Sequence, residues 1–368
     1  MKVLLIAGAR PNFMKIAPLY RESLRHVSIE CKIVHTGQHY DYSMSQSFFE
    51  ELEIPAPDFY LNAGSGSHAM QTATIMVAFE EVCLFERPDL VIVVGDVNST
   101  LACSVVAKKL RIDVAHVEAG LRSFDLAMPE EINRMVTDAI SNMFFVTEES
   151  GRTNLLREGK ADCQIHMVGH VMIDNLFDQL EKLREVDEGC FATHGLKEQC
   201  GKYAFLTLHR PSNVDDRDTL TEIAAALNII AKKMPVIFPV HPRTDKMLDK
   251  FAISLSKRIF RLPPLGYRES LYLWKDAALV ITDSGGLQEE TTALGIPCIT
   301  IRDNTERPIT LEVGSNLLAG TRQDTILAAF QKSLTRVKVF KIPPKWDGQA
   351  AKRIWQIIMG VYRKTKEA

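Results

Sequence analysis

The chain has 368 residues, 46% hydrophobic and 24% charged, with a formal net charge of −2. That length is more than one hydrophobic core usually serves, so two domains are expected, and the composition argues against disorder and low-complexity scaffolds. The near-neutral balance argues against a protein built around a nucleic-acid backbone but is compatible with a small phosphorylated ligand, which needs only local positive charge.

In chain order, short runs rich in Val and Ile predict strands at Val3–Ala7, Cys31–His35, Leu90–Val94 and Val114–Val117. Longer amphipathic stretches, Phe13–Arg25, His68–Phe85 and Leu101–Leu110, predict helices between them. Strands that alternate with helices favour parallel sheets covered on both faces, because a parallel crossover needs a helix-length connection. The pattern loosens over 172–202, after a charged helix-like stretch from Asp174 to Glu185, and restarts at Tyr203–Leu208. Further strands follow at Val236–Val240, Leu279–Thr282 and Pro297–Ile301, and a final amphipathic helix, Gln349–Lys364, lies beyond the Pro343-Pro344 breaker. The expected fold is α/β, two doubly wound Rossmann-like domains facing a cleft and joined near 170–200. The boundaries are set at 1–172, 173–345 and, for the last helix, 346–368.

The longest apolar runs, such as Leu90–Val94, fall far short of the roughly 20 residues that span a bilayer. The opening strand is broken by Gly8, Arg10 and Pro11 before any signal-peptide pattern can form. Seven cysteines are scattered with no CxxC pair, which gives little support to a zinc site or a disulfide framework and suggests a reduced, cytoplasmic setting.

Ligands of open α/β sheets bind outside the carboxyl ends of the strands, so the residues after each apolar run are the candidates. Leu279–Thr282 leads into Asp283-Ser284-Gly285-Gly286, where a helix opens. Its exposed N–H groups, the Ser284 hydroxyl and two glycines suit a phosphate, and Glu290 lies within reach of a ribose diol. The alternative for this segment is a glycine-capped turn without a ligand. Asp96 follows the run at 90–94, Glu118 follows that at 114–117, and Glu130 sits in Pro129-Glu130-Glu131. Three carboxylates on neighbouring loops would repel one another and raise a pKa, as acid–base chemistry requires. Helix capping is an equally good reason for each of them alone. His209 and His241 follow the strands at 203–208 and 236–240, His209 as a candidate proton carrier. Arg10, Lys15 and Arg307 add positive charge.

Taken in order, several motifs resemble one family: Gly8-x-Arg10-Pro11-x-x-x-Lys15, Gly37-Gln38-His39, Gly95-Asp96, His116-Val-Glu118-Ala-Gly-Leu-Arg122, Pro129-Glu-Glu-x-Asn133-Arg134, His209-Arg210, Asp283-Ser-Gly-Gly-x-Gln-Glu-Glu290 and Arg302-Asp-x-Thr-Glu-Arg-Pro308. This is the family of non-hydrolysing UDP-N-acetylglucosamine 2-epimerases. The resemblance runs over residues 1–320 and implies a glycosyltransferase-B architecture, with a C-terminal helix that crosses back onto the first domain. It implies interconversion of UDP-GlcNAc and UDP-ManNAc without hydrolysis and without a cofactor, by loss of the C2 proton and of UDP to give a 2-acetamidoglucal, then re-addition.

Carried over by residue, the resemblance makes Asp96, Glu118, Glu130 and His209 catalytic, Glu290 the ribose contact, and Arg10, Lys15 and Arg307 residues of the nucleotide-sugar cleft. It also implies a homodimer, with a UDP-sugar and neither nucleic acid nor membrane as partner. Asn12 stands where many members carry Glu. Members activated by a second UDP-GlcNAc carry Gln near position 41 and Arg near position 70; Asp41 and Met70 imply little or no such activation. Tyr40-Asp41 also resembles relatives that act on modified UDP-sugars such as 2,3-diacetamido uronates, which stand as an alternative substrate. A glycosyltransferase of the same architecture is the alternative in another reaction class.

Overall fold

Runs such as Leu90–Val94, in which every side chain is buried, can only lie in a sheet covered on both faces. A computed structural model describes residues 1–37, 49, 52–335 and 341–367, with side chains except at Arg10 and 364–367. It shows two parallel sheets in two compact units, Met1–Asn175 with Pro344–Ala368, and Leu176–Pro343.

In the first unit the strands are β1 (Lys2–Ala7), β2 (Glu30–His35), β3 (Phe59–Tyr60), β4 (Leu90–Val94), β5 (Asp113–Val117), β6 (Met143–Val146) and β7 (Ile165–Met167). Their order in the sheet is β3-β2-β1-β4-β5-β6-β7. The second unit holds β8 (Ala204–Thr207), β9 (Val236–Pro239), β10 (Ile259–Leu262), β11 (Leu279–Thr282), β12 (Cys298–Thr300) and β13 (Asn316–Leu318), in the order β10-β9-β8-β11-β12-β13. Both sheets thus follow the Rossmann order, with β7 added at one edge of the first. The order reverses between β1 and β4 in the first unit and between β8 and β11 in the second. Backbone loops diverge at such points and leave room for a ligand.

Each unit has its own apolar core. Phe79, Val91, Val93, Cys103 and Val106 pack together in the first, and Leu206, Ile223, Leu227, Phe238, Ile281 and Phe330 in the second. The helix Ala350–Glu367 belongs to the first unit, where Trp355 Nε1 donates to Leu19 O at 2.8 Å. The Asp174 carboxylate receives the first amides of that helix, Ala350 N–H and Ala351 N–H, at 3.0 and 2.7 Å. Burial pushes this carboxyl up to about 6, although the two amide bonds oppose the shift. Among the described residues no helix is long and apolar enough to cross a membrane.

The sequence reading does not name β3, β6, β7, β10 or β13. All are short, and β10 carries Arg261 inside its run. The first helix starts at Arg10, where Phe13 was expected, because Pro11 fits the first turn of a helix, whose N–H groups have no partner anyway. Gln38, His39, Tyr40 and Asp41 lie outside the described residues.

Candidate active site

In the first unit the loops after β1, β4 and β5 meet around Gly95, whose φ is +68°. A side-chain Cβ built there would lie 2.9 Å from Lys15 Nζ, 3.4 Å from Glu118 Oε2 and 3.7 Å from Asn12 Nδ2. The left-handed backbone favours glycine here, and a Cβ would crowd the Lys15 ammonium and the Glu118 carboxylate. Asn12 staples the loops: its Oδ1 accepts from Gly8 N–H and Ala9 N–H at 3.3 and 3.0 Å, and its Nδ2 donates to Val94 O at 3.2 Å. Arg10 opens the helix beside it, and its side chain lies outside the described residues.

Glu118 is the most constrained of the candidates. It is buried, and its φ of +69° is a left-handed value that a residue with a Cβ seldom adopts. Such conformations persist only where surrounding contacts enforce them, and they gather at functional sites. Lys15 Nζ bonds Glu118 Oε2, and His170 Nε2 stands 3.3 Å from Oε1. Asp96 is partly exposed and bonded by Arg134, which also holds Glu131.

The expectation that these carboxylates repel one another is therefore corrected: Asp96 and Glu118 each have a cation of their own. Asp96 does not cap the next helix either, since Val97 occupies that position. Glu130 is exposed in the first turn of Pro129–Ile140, whereas its neighbour Glu131 is buried and accepts from Ser123 N–H and Phe124 N–H, both at 3.0 Å.

Beneath these loops lies a buried network. His116 Nδ1 is 2.6 Å from Asp138 Oδ1, and its Nε2 is 2.8 Å from Gly95 O. Asp138 Oδ2 accepts from Gly120 N–H at 3.0 Å and pairs with Arg122 at 2.8 Å. Burial alone would raise the Asp138 carboxyl, but His116 and Arg122 hold it below its ordinary value. One carboxylate thus ties the loop carrying Asp96 to the loop carrying Glu118.

In the second unit Asp283, at the end of β11, gathers the loop after β8. Its Oδ2 accepts from His209 N–H and Arg210 N–H, both at 2.9 Å, and His209 Nδ1 lies 2.9 Å from Oδ1. Burial raises the Asp283 carboxyl, and these bonds more than offset it, so its pKa falls below the ordinary value. His209 is exposed, with its ring 6.2 Å from that of His241. His241 Nδ1 caps the helix Pro242–Lys250 through Arg243 N–H at 3.2 Å.

Ser284 is the N-cap of Gly285–Leu294 and makes no side-chain cap bond. A Cβ on Gly285 would meet nothing within 4 Å, so the packing of the protein does not require glycine there. Within the same helix Glu290 accepts from Tyr267 Oη at 2.6 Å and Glu289 pairs with Arg307 at 2.6 Å. Arg307 is thus a partnered cation rather than a solvated surface charge.

Sequence reasoning singled out the residues at strand ends but not the groups that hold them: Arg134 and Asp283 stand in its motifs without that role, and His170 and Asp138 do not figure in it. Asp138 and Asp283 stand at turns of helix and strand, where no local pattern separates a bracket from a cap.

Comparison with known proteins places this geometry. The family model described as UDP-N-acetylglucosamine 2-epimerase matches residues 21–359. The UDP-N-acetylglucosamine 2-epimerase of Methanocaldococcus jannaschii is 44% identical over 364 residues, 97% of this chain and 99% of that protein. The UDP-2,3-diacetamido-2,3-dideoxy-D-glucuronate 2-epimerase of Pseudomonas aeruginosa is 39% identical over 357 residues, covering 96% and 98% of the two chains. A crystal structure of the M. jannaschii UDP-GlcNAc 2-epimerase in complex with UDP-GlcNAc and UDP aligns with a TM-score of 0.85 at 42% identity over 98% of this chain and 99% of that one. The fold expected from the sequence, two Rossmann-like domains of the glycosyltransferase-B type, is the fold of these relatives. On the family match and these identities, the chain belongs to the UDP-N-acetylglucosamine 2-epimerase family.

Proposed function

We propose that the protein interconverts UDP-GlcNAc and UDP-ManNAc by a non-hydrolysing elimination and re-addition. The observation that carries this reading is Glu118, a buried carboxylate on a left-handed backbone with Lys15 on one oxygen and His170 at the other. C2–H is a weak acid, so its removal needs a carboxylate held ready to accept and a leaving group that departs with the bonding electrons. In the step proposed, a carboxylate takes the C2 proton while the C1–O electrons leave with UDP, giving a 2-acetamidoglucal. A proton returned to the opposite face of C2, with re-addition of UDP at C1, completes the inversion.

Asp96, Glu118 and Glu130 are the carboxylates assigned to this proton traffic, with His209, oriented by Asp283, as the further acid–base group. The start of Gly285–Leu294, with Ser284, Gly285 and Gly286, is assigned to the diphosphate, where N–H groups at a helix N-terminus offset developing negative charge. Glu290, oriented by Tyr267, is assigned to the ribose. Arg10, Lys15, His241 and Arg307 complete the binding set, with Lys15 acting through Glu118.

Gly285→Ala tests the diphosphate assignment. A methyl group there meets no protein atom, so melting temperature should hold, while UDP affinity measured by calorimetry should fall about tenfold, 1.4 kcal/mol. Unchanged affinity would remove this helix from the assignment. Chromatography after incubation with UDP-GlcNAc tests the whole reading. UDP-ManNAc is the expected product; free ManNAc with UDP would show hydrolysis instead.

The diacetamido uronate epimerase of P. aeruginosa supports a second reading, in which that modified UDP-sugar is the substrate. Turnover of it without turnover of UDP-GlcNAc would select this reading. A homodimer and a place in cell-surface polysaccharide biosynthesis are proposed from the family resemblance, and a cytoplasmic setting from the scattered cysteines. A monomer mass by light scattering would contradict the first.

A further inference from the structure

We propose that His170, backed by Trp346 from the returning C-terminal segment, is a positioning residue that fixes the Glu118 carboxylate; this rests on the reading of Glu118 as an acid–base group. The loop after β7 is shaped to receive that segment. Gly169 has a φ of +92°, and a Cβ on it would lie 2.0 Å from Lys345 O, so only glycine lets the two backbones meet. Lys345 Nζ donates to Met167 O at 2.6 Å and Trp346 Nε1 to Thr147 O at 3.1 Å, which seats the indole. Trp346 is buried and packs edge-on against the His170 ring, centroids 5.3 Å apart at 80°.

The tautomer of His170 follows from its neighbours. Its Nδ1 accepts from Met172 N–H at 3.2 Å, in the first turn of the helix Val171–Glu185. A nitrogen that accepts carries no hydrogen in the neutral ring, so the proton sits on Nε2, which faces Glu118 Oε1 at 3.3 Å. Lys15 bonds one oxygen and the His170 ring stands 3.3 Å from the other, close enough to restrict the carboxylate plane although no hydrogen bond closes there, on a residue whose backbone is already constrained. Among the described residues, ionisable groups facing this pair include Lys15, from the helix Arg10–Ser23, and Asp174, one turn beyond His170, with Asp347 near Asp174.

Two variants separate positioning from packing. In His170→Asn the shorter side chain keeps an acceptor for Met172 N–H but does not reach Glu118. In His170→Gln the amide donor falls near the place of Nε2. A buried carboxylate that loses a polar N–H facing it titrates higher, so in His170→Asn the acidic limb of kcat/KM should move up by about half to one pH unit. Its kcat should fall roughly fivefold with KM for UDP-GlcNAc little changed, as expected when substrate binding is untouched. His170→Gln should recover most of both. In a spectrum of histidine labelled with 15N, His170 should carry its proton on Nε2.

A proton on Nδ1, or a His170→Asn enzyme with wild-type kcat and limb, would overturn the inference, as would equal behaviour of the Asn and Gln variants. Glu118→Gln distinguishes the levels. If it is inactive while His170→Asn behaves as wild type, only this inference fails; if it keeps full turnover, the reading of the site fails and this inference with it.

Discussion

Glu118→Gln is expected to slow turnover by about 10²–10⁴-fold, the usual contribution of a positioned proton acceptor or donor. The amide keeps the shape of the side chain but has no basic oxygen to take a proton. It also leaves Lys15, a buried ammonium, without its charged partner. Breaking a buried ion pair by removing one member commonly costs about 3–5 kcal/mol, so the variant should melt lower as well. The two effects are separable. Lys15→Met combined with Glu118→Gln removes the orphaned charge and should recover much of the stability without recovering turnover. UDP affinity should stay within about threefold, 0.7 kcal/mol, in Glu118→Gln, because the groups assigned to the diphosphate and the ribose lie in the second unit. Stopped turnover with retained UDP binding would place Glu118 in the chemistry. Turnover that returned with stability in the double variant would make it a structural residue instead.

Asp138→Ala is expected to have the largest effect on stability, about 3–5 kcal/mol at neutral pH. The substitution leaves His116 and Gly120 N–H without their carboxylate and Arg122 with Glu158 alone. For a unit of this size that loss lowers the melting temperature by about 6–20 °C. The sign of the pH dependence follows from the direction of the shift. Asp138 is held below its ordinary 3.8, so its contribution is full above about pH 4 and disappears as pH falls through the folded value. The gap between wild type and variant should therefore be widest near pH 7 and narrow below pH 4. Activity should be lost with it, because the same carboxylate aligns the loops that bear Asp96 and Glu118. Asp138→Asn keeps the volume and one acceptor and should lose less of each. Equal melting temperatures for wild type and Asp138→Ala would show that the network carries little of the fold.

Much of this architecture is legible in local pattern. Leu90–Val94 and Leu279–Thr282 are strands exactly where their apolar runs lie, since burial on both faces leaves a continuous signature. The residues that follow them, Asp96 and Ser284, are marked by adjacent glycines. What pattern did not reveal is how side chains pair across the fold. Asp283 meets the His209 amide across 74 residues of chain, and Trp346 meets Thr147 across 199. Nothing near His170 in sequence marks it as a partner of Glu118; Gly169 is the one local hint, and its reason is Lys345. Asn12, read as a departure from the family, acts through its amide as a loop staple, a role in which its Nδ2 donates as a carboxylate would not.

The central claim is that the C2 proton leaves and returns while the nucleotide is kept. Incubation with UDP-GlcNAc in D2O, followed by NMR, tests it directly. The account predicts UDP-ManNAc bearing deuterium at C2, with no accumulation of free ManNAc. UDP-ManNAc that retains the original proton at C2 would contradict it.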